Sequence, residues 1–139
     1  MTYRVAIIGA GIGAQHLTGY ASLSDRFAVT TLCDLDIERA QEAVSDTSTR
    51  VTSDLAAVIS DPDIDIIDIC LPPHLHFETC KAALEAGKHA ICEKPLVTSL
   101  ADADILADLA AKTGKQIFPV FQYRYGIGTA QLAALFKAG

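Results

Sequence analysis

The sequence predicts an α/β fold in which a doubly wound parallel sheet of about six strands carries helices on both faces. Short apolar runs rich in β-branched residues alternate with helical patterns along the chain, an order typical of parallel strands joined by right-handed crossovers. The runs are almost continuously apolar, as strands covered on both faces require. A glycine-rich turn follows the first run and opens the first helix, as in doubly wound folds that bind nucleotides.

The alternation predicts six strands and six helices. The strands are expected at residues 3–8, 27–33, 50–52, 64–71, 88–92 and 116–121. The helices are expected at residues 12–24, 37–44, 53–59, 74–86, 99–112 and 129–138. Ser53 is the expected N-cap of the third helix, and Ser99 or Thr98 is that of the fifth. Pro119 indicates an edge position or a bulge for the sixth strand.

Composition excludes several classes of protein. Half of the 139 residues are hydrophobic, which rules out a disordered chain. A net charge of −6 argues against nucleic acid and against an anionic membrane surface as partners, because both attract basic patches. The apolar run at residues 5–8 is too short for a membrane span or a signal peptide.

The four cysteines contain no C-x-x-C pair, so neither a zinc ribbon nor a thioredoxin-type redox site is expected. Three of them lie in apolar runs, which favours free buried thiols in a reducing compartment. We therefore expect a soluble cytoplasmic protein.

The turn after the first strand has the pattern of a diphosphate-binding loop. Gly9 permits a tight turn, Gly11 lets a pyrophosphate approach the backbone, and Ala14 is the third small residue that lets helix and strand pack closely. Gly13 is the alternative third position, in a loop one residue shorter. The helix start supplies unpaired N–H groups and partial positive charge. A glycine-rich turn without a ligand, as found in many α/β domains, is the competing interpretation.

Asp34 ends the second strand, 25 residues after Gly9, near the usual spacing for an acid that binds ribose. Its carboxylate can accept both hydroxyls of an adenosine ribose and would repel a 2′-phosphate. NAD is therefore favoured over NADP, the more so because no basic residue adjoins Asp34 and Arg39 lies a turn further on. A helix-capping or turn aspartate is the alternative.

Several motifs together resemble the glucose-fructose oxidoreductase / inositol dehydrogenase / MocA family of nicotinamide-dependent oxidoreductases. These are LPPHLH after the fourth strand, ALEAGKH before the fifth, Glu93-Lys94-Pro95 after it, and GAGIGAQH at the start. The resemblance implies an NAD(P)-binding Rossmann domain at residues 1–124. It also implies that residues 125–139 are a linker and first helix leading into a C-terminal substrate domain that is missing from this chain, through which the family often forms homo-oligomers.

The resemblance also implies roles for individual residues. The diphosphate would be held by Gly9, Ala10, Gly11, Ile12 and Gly13, and the adenosine ribose by Asp34. The far side of the cofactor would be lined by Leu71, Pro72 and His76. The nicotinamide ribose and the substrate would meet Glu93, Lys94 and Pro95, with Gln122 and Arg124 following the sixth strand. Tyr123 departs from the family, where a second arginine is common.

Lys94 is the candidate catalytic residue. The following proline disfavours helix at Lys94, so it is expected in an extended turn at the carboxyl end of a strand, where ligands of open α/β sheets bind. There a lysine can stabilise a developing alkoxide or relay a proton. Glu93 is expected either to orient Lys94 as an ion pair or to cap a helix.

The remaining polar residues are expected to be structural. His74 and His76 open a helix and point different ways, and no carboxylate completes a ligand set, so no metal is expected. His16 is interpreted as a helix residue packing near the cofactor, and His89 as a packing histidine. Asp65 and Asp68 are interpreted as strand-end and edge charges on opposite faces of a strand.

The function predicted from these features is the cofactor-binding half of an NAD-dependent oxidoreductase. It would move hydride between nicotinamide and a hydroxyl or ketone of a sugar, polyol or related small molecule, and the isolated chain would be inactive. A non-catalytic nucleotide sensor or coenzyme A-binding module is the main alternative. An α/β domain that binds no nucleotide is the third.

Overall fold

The computed structural model describes residues 1–45 and 47–138. In this part of the chain, parallel strands form one six-stranded sheet of order β3-β2-β1-β4-β5-β6. The strands are β1 (Tyr3–Ile8), β2 (Phe27–Cys33), β3 (Arg50–Thr52), β4 (Ile66–Ile69), β5 (His89–Cys92) and β6 (Ile117–Pro119). The helices are α1 (Ala10–Ala21), α2 (Ile37–Ala43), α3 (Leu55–Ser60), α4 (His76–Glu85), α5 (Leu100–Thr113) and α6 (Ile127–Ala138). Short 3-10 helices occupy Pro73–Leu75 and Gln122–Tyr125.

The strand order confirms the doubly wound fold. The chain winds outwards from β1 through β2 to β3, returns to the centre, and winds the other way through β4, β5 and β6. β1 and β4 are neighbours, with Val5 opposite Ile66 and Ile8 opposite Ile69. The switch in winding direction leaves a crevice outside the carboxyl ends of β1 and β4, where ligands of such sheets bind.

The core lies on both faces of the sheet, as the continuous apolar runs predicted. Successive β1 residues alternate between two clusters, with Val5 and Ile7 in one and Ala6 and Ile8 in the other. The first cluster includes Leu32 and packs against residues from α1 and α2, whereas the second includes residues from α3, α4 and α5. This covering explains why the central strands carry almost no exposed apolar surface.

Several helix boundaries differ from the expectations, for local reasons. α1 begins at Ala10 rather than residue 12, because Gly9 itself serves as the N-cap, with a φ of 103°. Asp54, not Ser53, caps α3 by accepting a hydrogen bond from the Ala57 amide. Ser99 caps α5 as predicted, accepting from the Asp102 amide. β6 is an edge strand, in agreement with Pro119.

α6 stands apart from the rest of the fold. Its main contact is with the 3-10 helix Gln122–Tyr125, and each of its residues is exposed. It begins two residues earlier than expected, at Ile127. Across residues 1–45 and 47–138, the structure contains no helix with the length and apolar character needed to cross a bilayer.

Candidate functional site

The glycine turn closes tightly against the segment after β4. At Gly9 the φ of 103° is one that residues with side chains rarely adopt, and a Cβ there would overlap the carbonyl oxygen of Cys70. A Cβ at Gly13 would lie 2.7 Å from Cγ2 of Ile7. Gly13, rather than Ala14, therefore allows the close approach of α1 to β1.

The start of α1 leaves two backbone amides available. The first four N–H groups of a helix have no partner within it. Here the Gly9 amide donates to the Cys33 carbonyl at 2.8 Å, and the Ala10 amide donates to Oδ2 of Asp34 at 2.6 Å. The amides of Gly11 and Ile12 remain, both residues are exposed, and the space where a Gly11 side chain would stand is open for 4 Å. The turn thus has the donors and the room that a diphosphate needs.

Asp34 is buried at the end of β2 and is shared between the backbone and an arginine. Besides the Ala10 amide, it accepts hydrogen bonds from the Asp36 amide and from Nη2 of Arg39, both at 2.8 Å. Burial pushes the pKa of the Asp34 carboxyl upwards, but these three donors outweigh it and the pKa is lowered. Arg39 therefore lies directly on the carboxylate, although the sequence places it a turn away.

The segment after β4 borders the glycine turn. Leu71 lies next to Gly9, and Pro72 is exposed beside it. His76, expected to line the cofactor, is only 1% exposed. Its Nδ1 lies 2.7 Å from the Pro95 carbonyl and its Nε2 lies 2.7 Å from the Leu71 carbonyl. His76 is thus directed to the backbone and joins the segments that follow β4 and β5.

The Glu93-Lys94-Pro95 segment extends from the carboxyl end of β5. The Glu93 amide donates to the Ile69 carbonyl at 2.9 Å, which aligns this segment with the end of β4. The Lys94 side chain is exposed, whereas Glu93 is buried. Oε2 of Glu93 accepts a hydrogen bond from the backbone amide of Lys94 at 3.1 Å. Neither expected role of Glu93 is observed, since it forms no ion pair with the Lys94 ammonium among the described residues and caps no helix.

The sequence did not predict a buried polar cluster that contacts Glu93 of this segment. Asp68 is fully buried in β4, so its interpretation as an edge charge was wrong. Its Oδ2 lies 2.9 Å from Nδ1 of His16 on α1, and Nε2 of the same ring lies 3.3 Å from Oε1 of Glu93. An aspartate inside an apolar strand run was the signal available in the sequence, because a carboxylate there requires a partner.

Donor atoms of His16, Asp68 and Cys70 all lie within 4.8 Å of one another, a grouping that could hold a metal ion. Hydrogen bonding already accounts for these contacts. Burial, followed by the charge of Asp68, raises the pKa of the Cys70 thiol, which keeps it protonated and makes it a poor ligand. His74 is exposed while His76 is buried, so this pair does not converge on a common point.

The other expected site residues lie one strand further along. Gln122 and Arg124 belong to the exposed 3-10 helix that follows β6, the strand beside β5. Asp65 and His89 lie at the amino ends of β4 and β5, at the opposite end of the strands from the glycine turn. Asp65 accepts from the Arg4 amide at 2.7 Å, and Nδ1 of His89 accepts from the Gln116 amide at 3.1 Å. All four cysteines are buried free thiols, as predicted.

A groove of about 460 Å³ lies between α1 and α2. Its lining includes Ala21, Phe27 and Thr49, which lie towards the amino ends of β2 and β3. The lining also includes Ala14 on the second turn of α1, so the groove runs along that helix towards the amino end of β2. The glycine turn at residues 9–13 does not line it, and the groove is therefore separate from the crevice that α/β folds use for dinucleotides.

Comparison with known proteins agrees with this geometry. The family model described as "Oxidoreductase family, NAD-binding Rossmann fold" (GFO_IDH_MocA) matches residues 3–121. An inositol 2-dehydrogenase from Salmonella typhimurium is 32% identical over 143 residues, which cover all of this chain and 43% of that protein.

Solved structures share this fold. The WlbA dehydrogenase from Bordetella pertussis, in complex with NADH and UDP-GlcNAcA, superposes with a TM-score of 0.91 at 25% identity over all of this chain and 43% of that one. KijD10, a 3-ketoreductase from Actinomadura kijaniata in complex with NADP and TDP-benzene, gives a TM-score of 0.89 at 26% identity, again over all of this chain and 43% of that one. The chain thus spans less than half the length of these proteins.

Proposed function

Because this chain belongs to the Gfo/Idh/MocA family of oxidoreductases, we propose that it is the cofactor-binding part of a sugar or polyol dehydrogenase. The proposed reaction moves hydride between a nicotinamide dinucleotide and a hydroxyl or ketone carbon of the substrate. Relatives named as an inositol dehydrogenase and a 3-ketoreductase support this substrate class. The observation that carries the proposal is the pair of available amides at the start of α1, beside open space at the switch point of the sheet.

The residues of this edge fit a dinucleotide. Gly11 and Ile12 would donate their amides to the diphosphate, aided by the positive end of the α1 dipole. Gly9 and Gly13 keep the turn close to the sheet, so that no side chain fills the crevice. Asp34 lies one strand away from the turn, where an acid accepts the ribose hydroxyls in folds of this kind.

We propose NAD as the preferred dinucleotide. A carboxylate at Asp34 attracts ribose hydroxyls and repels a 2′-phosphate. Arg39 reduces that repulsion, because its guanidinium already contacts the carboxylate and is 54% exposed at the side chain. NADP is therefore expected to bind more weakly than NAD but not to be excluded.

Bound nicotinamide would accept or supply the hydride. Lys94, exposed at the carboxyl end of β5, would accept the hydroxyl proton as hydride leaves the carbon that bears it, and would return that proton to the oxygen in the reverse reaction. The ammonium formed in this way would stabilise negative charge on the substrate oxygen. Leu71, Pro72 and Pro95 lie at the ends of β4 and β5 and would border the nicotinamide half of the cofactor. Gln122 and Arg124 would extend this border past β6.

We further propose that residues 1–124 form the cofactor domain and that residues 125–139 lead out of it. The exposure of α6 and its sparse contacts support this division. The substrate pocket would then be completed by the part of the protein that corresponds to the rest of the longer relatives. The four free thiols favour a reducing compartment, in agreement with a cytoplasmic location.

The experiment that tests the proposal fills the open space above the turn. Gly11→Val should abolish NADH binding, because the new side chain would occupy the proposed position of the diphosphate, and no protein atom lies within 4 Å of its Cβ. Gly19→Val is the matched control, since Gly19 lies on the same helix with equally open surroundings but at its other end. NADH fluorescence would be titrated with both variants and the unchanged chain, with circular dichroism to verify folding. Equal affinity in the two variants would refute binding at this turn.

A further inference from the structure

Asp68 is a carboxylate at the centre of the sheet with no contact to solvent. Burying an ionised carboxylate costs considerable free energy unless hydrogen bonds and an opposite charge compensate it. Among the ion pairs of the described residues, its one cationic partner is His16, at 2.9 Å. The Cys70 thiol lies 3.8 Å from the other carboxylate oxygen and 3.4 Å from Nδ1 of His16.

The His16 ring has carboxylate oxygens at both of its nitrogens. Nδ1 faces Asp68 at 2.9 Å, and Nε2 faces Glu93 at 3.3 Å. A carboxylate in its ionised form only accepts hydrogen bonds, so a ring nitrogen that faces one is a donor. Imidazole donates from both nitrogens only as the imidazolium cation.

The same network reaches the backbone of the candidate catalytic lysine. One oxygen of Glu93 faces His16, and the other accepts the Lys94 amide at 3.1 Å. His16 belongs to the second turn of α1, one turn beyond the diphosphate-binding amides. The path from His16 through Glu93 to Lys94 therefore connects the diphosphate end of the site with its proposed catalytic end.

We propose that His16 is a positioning residue: as an imidazolium, it ties Glu93, and through it the backbone of Lys94, to the helix that opens at the glycine turn. The effect of His16 on catalysis rests on the proposed function. The protonated bridge, meaning the His16 imidazolium between Asp68 and Glu93, does not. If His16 loses a proton, one of the two carboxylates loses its donor. The more distant Glu93 is the expected loser, because the contact to Asp68 is shorter and more deeply buried.

The bridge makes the site sensitive to pH. The groups that face it are Asp68 and Cys70 from β4 and its end, Glu93 from the end of β5, and Tyr20 on its own helix. Burial and the nearby Asp68 raise the pKa of Tyr20, and burial raises the pKa of Cys70, so both are neutral near pH 7. Hydrogen bonding to Asp68 raises the pKa of His16, partial burial opposes this, and the charges of both carboxylates add to the rise.

The test follows the bridge directly by NMR in the 139-residue chain without cofactor. Ring nitrogen shifts of His16 should titrate above pH 6.5, and Glu93→Gln should lower that midpoint. The backbone amide shift of Lys94 should titrate with the same midpoint, whereas the amide of Asp102, which donates to a serine hydroxyl, should not. A purely structural histidine would not impose its titration on Lys94. The bridge would be overturned by a His16 titration midpoint at or below pH 6.5. It would also be overturned if the Lys94 amide shift did not change with the titration of His16.

NADH titrations then separate the two proposals. His16→Asn retains a donor towards Asp68 but cannot reach Glu93, and it should weaken NADH roughly 2- to 10-fold, about the effect of one net hydrogen bond. His89→Asn, at the opposite edge of the sheet, should leave the affinity unchanged. If the unchanged chain binds no NADH while the titrations of His16 and Lys94 coincide, the proposed function fails and the bridge stands. If NADH binds His16→Asn as tightly as the unchanged chain, the role of His16 in the cofactor site is refuted.

Discussion

The carboxylate of Asp34 accepts a 2.6 Å hydrogen bond from the Ala10 amide, which joins the end of β2 directly to the first turn of α1. The acid proposed to bind ribose thus also orients the turn proposed to bind the diphosphate. Its second oxygen accepts from Arg39 and from the Asp36 amide. The expected ribose acid and the expected diphosphate turn are therefore one hydrogen-bonded unit.

Asp34→Asn should weaken NADH about tenfold or more. Hydrogen bonds to a charged group contribute roughly 1.5–3 kcal/mol each. The substitution removes the charge of the carboxylate that accepts from the Ala10 amide and is proposed to accept from the ribose hydroxyls. NADH fluorescence titration measures the effect, with Asp108→Asn, an exposed acid on α5, as the control. Unchanged affinity would favour the alternative in which Asp34 serves only as a turn aspartate.

Arg39→Gln should weaken NADPH more than NADH. The guanidinium is placed to offset the repulsion between Asp34 and a 2′-phosphate, so its loss is expected to reduce NADPH affinity about tenfold. NADH affinity should change by less than about threefold, because the Asp34 carboxylate keeps its two backbone donors when the half-exposed Arg39 side chain is lost. Both dinucleotides would be titrated, and Arg26→Gln, exposed at the start of β2, serves as the control. Equal effects on the two dinucleotides would contradict this role.

Gly13→Ala should destabilise the fold by about 1–3 kcal/mol, since the added methyl group would lie 2.7 Å from the buried Ile7 side chain. Gly19→Ala, on the same helix with open surroundings, should instead stabilise it by about 0.5–1 kcal/mol through helix propensity. Urea denaturation of both variants measures the free energy of unfolding. Similar values for the two would mean that α1 does not approach β1 closely at Gly13.

The free energy of unfolding should fall at mildly alkaline pH because of His16. A pKa raised in the folded protein means that folding favours the proton, so this contribution is complete below pH 6.5 and is lost as pH rises through the folded pKa. Urea denaturation between pH 6 and 9 measures the loss, and His16→Asn should flatten it.

His89 is the control for this pH dependence, because its pKa is lowered, first by burial and then by Lys115. Its contribution has the opposite sign and is lost as pH falls below 6.5. His89→Asn should therefore leave the alkaline loss intact. An alkaline loss that persisted in His16→Asn would assign it to another group.

Lys94→Met should lower turnover about 100-fold in the longer dehydrogenase proposed above, by removing the group that accepts the substrate proton. Lys112→Met, which changes an exposed lysine on α5, should leave turnover unchanged. Steady-state kinetics with NAD and a polyol or sugar substrate measure both variants. A Lys94→Met enzyme with normal turnover would favour the non-catalytic nucleotide-binding alternative.

The sequence predicted the elements well where the signal is local. The alternation of strands and helices, the Ser99 cap and the edge position of β6 depend on neighbouring residues, and all three are observed. Boundaries moved where a backbone conformation decided them. Gly9 starts α1 two residues early because its positive φ lets the chain turn directly into the helix.

The glycine turn, Asp34 and the segment of Lys94 could be placed along one edge of the sheet from the amino-acid sequence alone, because parallel strands present their carboxyl ends together. Their side-chain partners could not. Three contacts are visible only in the tertiary structure, which sets the strands side by side. They are the contact of Arg39 with Asp34, the position of the His76 imidazole between two carbonyls, and the bridge from Asp68 through His16 to Glu93. His16 lies 52 residues from Asp68 and 77 from Glu93. The periodicity of apolar residues predicts which face of a strand or helix a residue occupies. The pairing of charges that lie so far apart in the sequence depends on strand order and on how closely a helix packs against the sheet.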